Sequence, residues 1–139
     1  MEVSIISDKV LVNRSATRLY GFLRDFRNFE KLMPEQVTKW NATETSCSFT
    51  IKNMGHVSLK IIELKENAHV KITGDGKTPF EFDLIARLDP ISDESTNVHM
   101  QIIANMSPMI QMMAKKPLQN LVNHMAHKVR EHHSDQEEK

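Results

Sequence analysis

Six segments downstream of Pro34 alternate between apolar and polar residues, and turn-forming residues separate them. A period of two is typical of strands that place one face on a core and the other in water. The alternating segments lie at residues 40–42, 47–51, 57–64, 70–72, 80–88 and 98–104. The pattern therefore predicts six strands of an antiparallel sheet, with a bulge where the apolar phase slips between Ile61 and Ile62. Asp89-Pro90 and Ser92-Asp93-Glu94 are predicted to form the turn before the last strand.

An earlier strand is predicted over residues 3–12, which are rich in Val and Ile. Its apolar positions change parity along the segment, so a bulge or bend is expected near Ser7. Two short helices should follow, because Ser15 and Asp25 are good N-cap residues and Pro34 ends the second apolar helical pattern.

The segment 106–132 predicts one long C-terminal helix that is rich in methionine. Ser107 is a good N-cap, and Pro108 suits the first helical position. Pro117 lacks an N–H group, so a kink is expected just before it. An inner apolar stripe is predicted at Met109, Met113, Leu121, Val122, Met125 and Val129. Ordinary core packing is one interpretation of this stripe, and the adaptable wall of a binding cavity is the other.

The order of these elements predicts an α+β fold. We expect a curved seven-stranded antiparallel sheet, two short helices after the first strand, and a long kinked helix over the concave face. One domain is predicted over residues 1–131, followed by a polar tail over residues 132–139. A curved sheet wrapped around a single helix leaves space between them for a ligand.

Composition narrows the classes of function. The chain has 139 residues, which suits one domain, and its 18 basic residues balance 18 acidic ones. Binding to nucleic acid or to an anionic membrane surface favours a positive excess, so neither is expected. A single cysteine, Cys47, precludes an intrachain disulfide. No secretory signal or membrane-spanning run is evident, so we expect a cytoplasmic protein. No cofactor is expected.

Several local motifs, taken with this order of elements, resemble the START-like helix-grip superfamily, also called SRPBCC. That superfamily includes the birch-pollen allergen, steroid-transfer domains and bacterial polyketide cyclases, and the local resemblance is to its small bacterial members of unassigned function. The motifs are Val10-x-Val12-Asn13-x-Ser15, Asp25-Phe26-x-Asn28 with Leu32-Met33-Pro34, Pro79-Phe80-x-Phe82, and Ser107-Pro108-Met109 with Met112-Met113. The resemblance implies a hydrophobic cavity between sheet and last helix, which the superfamily uses for sterols, lipids, quinones and aromatic polyketides.

Residues that carry reactive chemistry are few. His124 and His127 lie three residues apart on the last helix, but zinc needs three or four protein ligands. A solvated helix face is therefore favoured, and no metal site is expected. Cys47 falls on the inward phase of its strand, which favours a small buried residue over a nucleophile. We therefore predict no catalytic residue.

The leading hypothesis is binding or transport of a small hydrophobic or amphipathic ligand in this cavity. Burial of apolar area would drive such binding. The candidate ligand-binding residues are Trp40, Phe49, Leu59, Phe80, Phe82, Met100, Met109, Met113, Leu121 and Met125.

Two other functions stay open at this stage. A polyketide cyclase or aromatase would need a polar group that projects into the cavity. A ligand-free interaction module would need an exposed apolar patch, for which Ile62, Ile85 and Ile103 on the outward strand phase are candidates. The same outer sheet face would equally serve as a homodimer contact.

Overall fold

The computed structural model of this chain describes residues 2–76, 78 and 80–137, with side chains described as far as His133. The strands are β1 (Glu2–Ile6), β2 (Val10–Val12), β3 (Val37–Ala42), β4 (Ser46–Ile51), β5 (Gly55–Lys65), β6 (His69–Gly74), β7 (Glu81–Ser92) and β8 (Ser95–Asn105). The helices are α1 (Ala16–Leu23), α2 (Phe26–Phe29) with a 3₁₀ turn over Glu30–Leu32, and α3 (Pro108–Glu137). Pro79 of the third motif and the last two residues of the expected tail, 138 and 139, lie outside the described residues.

All strands join one antiparallel sheet in the order β1-β8-β7-β6-β5-β4-β3, and β2 also pairs with β8. The edge strands of the sheet are β1 and β3, and the long hairpin β7–β8 lies next to β1. The predicted phase slip in β5 is confirmed by a register shift between Ile61 and Glu63. The predicted α+β architecture is confirmed, with eight strands because the first predicted strand is divided in two.

The division of the first strand is the bend that was predicted near Ser7. The Ser7 backbone N–H donates to the Met100 carbonyl at 2.8 Å, and the Ser7 hydroxyl accepts from the Met100 N–H at 2.8 Å. These two bonds hold the bend against β8. Both halves of the strand therefore place their apolar residues on the same core.

The two short helices begin at the predicted caps. The Ser15 hydroxyl accepts from the backbone N–H of Arg18 at 3.1 Å, and the Asp25 carboxylate accepts from that of Arg27 at 3.0 Å. Each bond satisfies a backbone donor that has no partner within its helix. The 3₁₀ turn after α2 brings the chain to Pro34 and into β3.

The predicted turn before the last strand is confirmed at Asp93 and Glu94 but is wrong at Asp89 and Pro90. Both residues belong to β7, and the hairpin turns at residues 93 and 94. Pro90 is opposite Thr96, immediately before a register irregularity. A proline is tolerated at such an irregular position because the ladder does not need its missing N–H group.

The last helix is longer than predicted. It passes through Pro117 and ends at Glu137, beyond the boundary expected at residue 131. Its extension packs against α1, since the Phe22 ring centroid lies 4.9 Å from those of both His132 and His133, and His133 is buried. The kink expected before Pro117 stays a prediction.

The long helix lies against β1, β2, β8 and the 3₁₀ turn. Its buried row consists of Ala114, Leu118, Val122, Met125, Ala126 and Val129. These residues recur at intervals of three and four, which places them on one helix face. The helix and the curved sheet thus enclose one apolar interior.

Candidate ligand-binding cavity

A cavity of about 60 Å³ lies between the sheet and α3. Its wall comes from strands β4, β5, β7 and β8, from α3, and from the segments beside Pro34, Gly55 and Phe80. The fourteen lining residues are Met33, Phe49, Ile51, Met54, Val57, Leu59, Phe80, Phe82, Leu84, Ile102, Leu118, Leu121, Val122 and Met125. Every one of these side chains is apolar.

Strand pairing positions the sheet side of the cavity. Phe49 on β4 is directly opposite Val57 on β5, and Leu84 on β7 is opposite Ile102 on β8. Directly opposed residues place their side chains on the same sheet face. The predicted period of two therefore delivers these rings and aliphatic groups to the concave side.

Six of the ten predicted ligand-binding residues line the cavity. They are Phe49, Leu59, Phe80, Phe82, Leu121 and Met125. The sheet residues among them follow from strand alternation, and the two helix residues follow from helical spacing.

Two predicted residues lie beside the cavity wall or deeper in the core. Trp40 is half-buried on β3 and stacks on Phe49, with ring centroids 5.0 Å apart and an interplanar angle of 20°. Met100 on β8 is fully buried but does not line the cavity. It lies opposite Ala86 and beside the Ser7 bend, so it packs in a part of the core away from the cavity.

The placement of Met109 and Met113 on the inner stripe is wrong. Their side chains are 71% and 72% exposed. The inward row runs through Ala114 and Leu118, whereas Met113 precedes it by one position and is rotated by roughly 100° on a helix of 3.6 residues per turn. The first turns of α3 therefore present methionine to solvent.

Met33 and Met54 contribute the flexible side chains that sequence reasoning missed. Met33 lies next to Pro34, and Met54 lies in the turn between β4 and β5. Met33 comes at the end of the second short helical pattern and Met54 in a turn, so neither belongs to a segment that was predicted to face the cavity. The only available signal was an apolar residue in a connection, where polar residues are the norm.

Cys47 is buried on β4, as expected from its inward phase. Burial raises the pKa of its thiol to about 12. The thiol is therefore protonated at neutral pH, and a protonated thiol is a poor nucleophile.

The two helix histidines differ in exposure. The His127 side chain is 42% exposed, as the favoured interpretation expected, and its Nε2 lies 2.9 Å from Asp8 Oδ2. His124 is half-buried, so the solvated face does not extend to it. Burial lowers the pKa of His124, and the charge of Lys128 adds to that effect. Among the described residues, no group of three or more His, Cys, Asp or Glu is placed to hold a metal ion.

Of the three isoleucines that were expected to form an apolar patch on the outer sheet face, one is buried. Ile62 is 48% exposed and Ile103 is half-buried, but Ile85 is only 4% exposed. Ile85 is thus covered by its neighbours and withdrawn from any partner. A homodimer contact on this face stays a prediction.

Within the described part of the chain, no helix combines the length and the apolar character needed to span a bilayer.

Sequence comparison identifies no relatives, whereas structural comparison identifies many. No protein-family model matches the chain, and neither does any curated protein. Norcoclaurine synthase from Thalictrum flavum, solved with dopamine and hydroxybenzaldehyde, matches with a TM-score of 0.74 and 12% identity, over 97% of this chain and 88% of that one. XoxI from Bacillus cereus matches with a TM-score of 0.74 and 7% identity, over 98% of this chain and 97% of that one.

A third similar structure carries the superfamily name. A START superfamily protein from Mycobacterium smegmatis matches with a TM-score of 0.67 and 15% identity, over 94% of this chain and 95% of that one. At such identities the likeness establishes the fold and no activity. With its long helix closing a curved antiparallel sheet, the chain has the START-like helix-grip fold.

Proposed function

We propose that this protein binds a small hydrophobic or amphipathic molecule in the cavity between the sheet and α3. The cavity itself carries the proposal, since fourteen apolar side chains surround a space of about 60 Å³. Protein interiors are otherwise close-packed, and a void forfeits contacts along its lining. An apolar cavity disfavours water and takes up apolar molecules instead.

The size of the cavity limits what enters it without rearrangement. One water needs roughly 10–15 Å³ on this scale, so the space suits a small ring or the end of a chain. Met33, Met54 and Met125 line the wall, and methionine side chains adapt through three rotatable bonds. Their movement would enlarge the cavity for a larger ligand.

The similar structures support a cavity ligand of aromatic character. The norcoclaurine synthase was solved with dopamine and hydroxybenzaldehyde, which are both small aromatic molecules. A cyclase or aromatase reaction would need a polar group in the cavity, and the described lining residues supply apolar side chains alone. Binding or transport is therefore the proposed function, and a cytoplasmic location stays a prediction.

Methionine methyl groups provide the first test, because the chain carries nine methionines in contrasting places. We would label them with ¹³C at the methyl position and add p-xylene while recording NMR spectra. Binding in the cavity should shift the signals of Met33, Met54 and Met125. Exposed Met109 and Met113 should not move, which makes them internal controls. Equal shifts at both groups, or none at all, would contradict cavity binding of this probe.

Filling the cavity provides the second test. Leu121 lines the cavity and is half-buried, so Leu121→Trp should occupy the space and abolish the p-xylene shifts. Met113→Trp places the same ring on the exposed side of the same helix and should leave the shifts intact. Retained binding in Leu121→Trp would show that the probe binds elsewhere.

Native mass spectrometry tests whether the purified protein carries a natural ligand. Protein purified without detergent should carry an added mass that is lost on denaturation, and extraction would then identify the compound class. A bare protein mass, unchanged after incubation with lipids and quinones, would argue against a carrier role.

A further inference from the structure

The first turns of α3 present three methionines to solvent. Met109, Met112 and Met113 are 71%, 87% and 72% exposed. At about 100° per residue, all three fall within an arc of about 100° on the side of the helix opposite buried Leu118. Packing among the described residues therefore does not account for these side chains. An exposed apolar surface of this kind often marks a contact with a protein or a membrane.

Two lysines lie beside these methionines. Lys115 and Lys116 are exposed, and neither forms an ion pair with an acidic group among the described residues. Lys116 falls within the methionine arc, and Lys115 is three residues from Met112, which makes the two neighbours on the helix surface. We call the five residues Met109, Met112, Met113, Lys115 and Lys116 the methionine–lysine surface.

Charge is distributed unevenly along the chain although it balances overall. Residues 95–130 contain four basic residues and no acidic one, and the first acidic residue of α3 is Glu131. The rest of the chain therefore carries more acidic than basic residues. The balanced net charge argued against an anionic membrane as a partner, whereas this local distribution favours one.

We infer that the methionine–lysine surface docks on an anionic lipid bilayer. Exposed apolar side chains of a surface helix enter the boundary between headgroups and acyl chains, and lysines beside them attract anionic headgroups. The methylene stem of a lysine also lies along apolar surface while its ammonium group stays in water. Three methionines and two lysines give a weak, reversible attachment.

A second copy of this chain fits the surface less well than a bilayer does. In a symmetric dimer the same surface contacts itself, so Lys115 and Lys116 of one copy would lie close to the same lysines of the other. Like charges brought together across an interface oppose its formation. An acidic partner protein meets no such objection, so the test has to separate it from the bilayer.

The position of the cavity favours a bilayer over a protein. Leu118 and Leu121 line the cavity and follow Met113 on the same helix. They lie about 8 Å and about 12 Å further along the helix axis. Docking would therefore bring the apolar cavity close to the phase in which hydrophobic and amphipathic molecules dissolve. This argument rests on the proposed function, whereas docking itself depends only on the methionine–lysine surface.

Vesicle flotation tests the inference. The intact protein should float more completely with vesicles of equimolar phosphatidylcholine and phosphatidylglycerol than with vesicles of pure phosphatidylcholine. Lys115→Gln combined with Lys116→Gln should lower the partition coefficient for the mixed vesicles about 25-fold, since each lysine near an anionic surface contributes about a fivefold factor. Met112→Gln combined with Met113→Gln should lower it about tenfold, because two apolar side chains no longer enter the bilayer.

Matched variants elsewhere on the chain make the result specific. Lys60→Gln combined with Lys65→Gln removes two exposed lysines from β5, and Ile91→Gln replaces an isoleucine of β7 that is 58% exposed. Both should leave flotation unchanged. Equal losses in these variants, or equal flotation with both kinds of vesicle, would overturn the inference. So would a protein that floats with neither, and a purified acidic protein bound only through Met112 and Met113 would then replace the bilayer as the partner.

Cavity binding is measured in the same variants with p-xylene. The shifts of Met33, Met54 and Met125 should persist in every variant, because none of the replaced residues lines the cavity. Persisting p-xylene shifts in a protein that does not float would overturn docking alone. Flotation without p-xylene shifts would contradict the proposed function and leave the docking surface supported.

Discussion

The first turns and the middle of α3 place the same residue type in opposite environments. Met113, in the second turn, is 72% exposed, whereas Met125, three turns later, is 0% exposed and lines the cavity. Both have the same side chain and the same helical backbone. Their different environments follow from helical phase and from what lies beneath each turn.

A polar row distinguishes the later turns further. The Gln119 amide donates to the Ile6 carbonyl at 2.9 Å, and the Asn123 amide oxygen accepts from the Asp8 backbone N–H at 2.9 Å. His127 bonds the Asp8 carboxylate from the next position of the same row. The spacing of four residues places all three groups on one helix face, against the bend between β1 and β2. Two adjacent rows therefore hold the later turns in place: an apolar row packed in the core and a polar row that bonds the bend.

The largest expected change in stability comes from truncating Met125, in the middle of α3, and Met113, near its start, provides the comparison. Met125→Ala removes a fully buried side chain and should lower the free energy of unfolding by about 2–5 kcal/mol. Met113→Ala, the matched control, should change it by less than about 0.5 kcal/mol, as is usual for surface sites. Urea unfolding measures both. Similar values for the two variants would mean that the helix is rotated relative to the arrangement described above.

A smaller effect should follow from breaking the polar row. Asn123→Ala removes the acceptor for the Asp8 N–H group and a partner of Gln119, and should cost about 0.5–1.5 kcal/mol of unfolding free energy. Asn120 lies on the exposed side of the same helix, so Asn120→Ala is the matched control. Equal losses for the two asparagines would show that the contact with the bend contributes nothing.

The sequence carried most of the architecture because local chemistry and tertiary structure agree there. The parity change around Ser7 predicted the bend, and Ser15 and Asp25 predicted where the short helices begin. Each of these signals is local and needs no distant partner. Alternation likewise placed Phe49 and Leu59 on the inner face.

The misplaced residues share a different property, since their positions depend on distant contacts. Met109 and Met113 lie on a row adjacent to the buried one, and two adjacent apolar rows are equally periodic, so only the sheet beneath selects between them. Pro90 stays in its strand because a pairing irregularity accommodates it. Met33 enters the cavity from a connecting segment. Neither pattern nor propensity encodes these outcomes.

The stability of the protein should fall gradually with pH because three histidine rings are withdrawn from solvent. Burial lowers the pKa of His133, His124 and His99 below the ordinary value of 6.5. The unfolded chain therefore binds more protons than the folded one as the pH falls below 6.5. Stability should be fully retained above that value and should decline as the pH drops toward the lowered pKa values of the folded state.

Thermal unfolding at a series of pH values between 7 and 5 measures this decline. His133→Leu removes one of the contributing groups and should flatten the profile. His56→Leu alters an exposed histidine on β5 and serves as the control. Stability that rises on acidification through this range would show that the buried rings gain a favourable partner when they are protonated.

The smallest effect on stability should come from oxidising the exposed methionines at the start of α3. Hydrogen peroxide converts methionine to its sulfoxide, and access to the sulfur governs the rate. Peptide mass spectrometry should find Met109, Met112 and Met113 oxidised first, with Met125 last, because the side chain of Met112 is 87% exposed and that of Met125 is fully buried. Protein oxidised only at the first turns should keep its unfolding free energy within about 0.5 kcal/mol, since these side chains lie outside the core. Oxidation of Met125 at the rate of Met113 would instead show that the start and the middle of α3 are equally open to solvent, and that the contrast between them does not persist in solution.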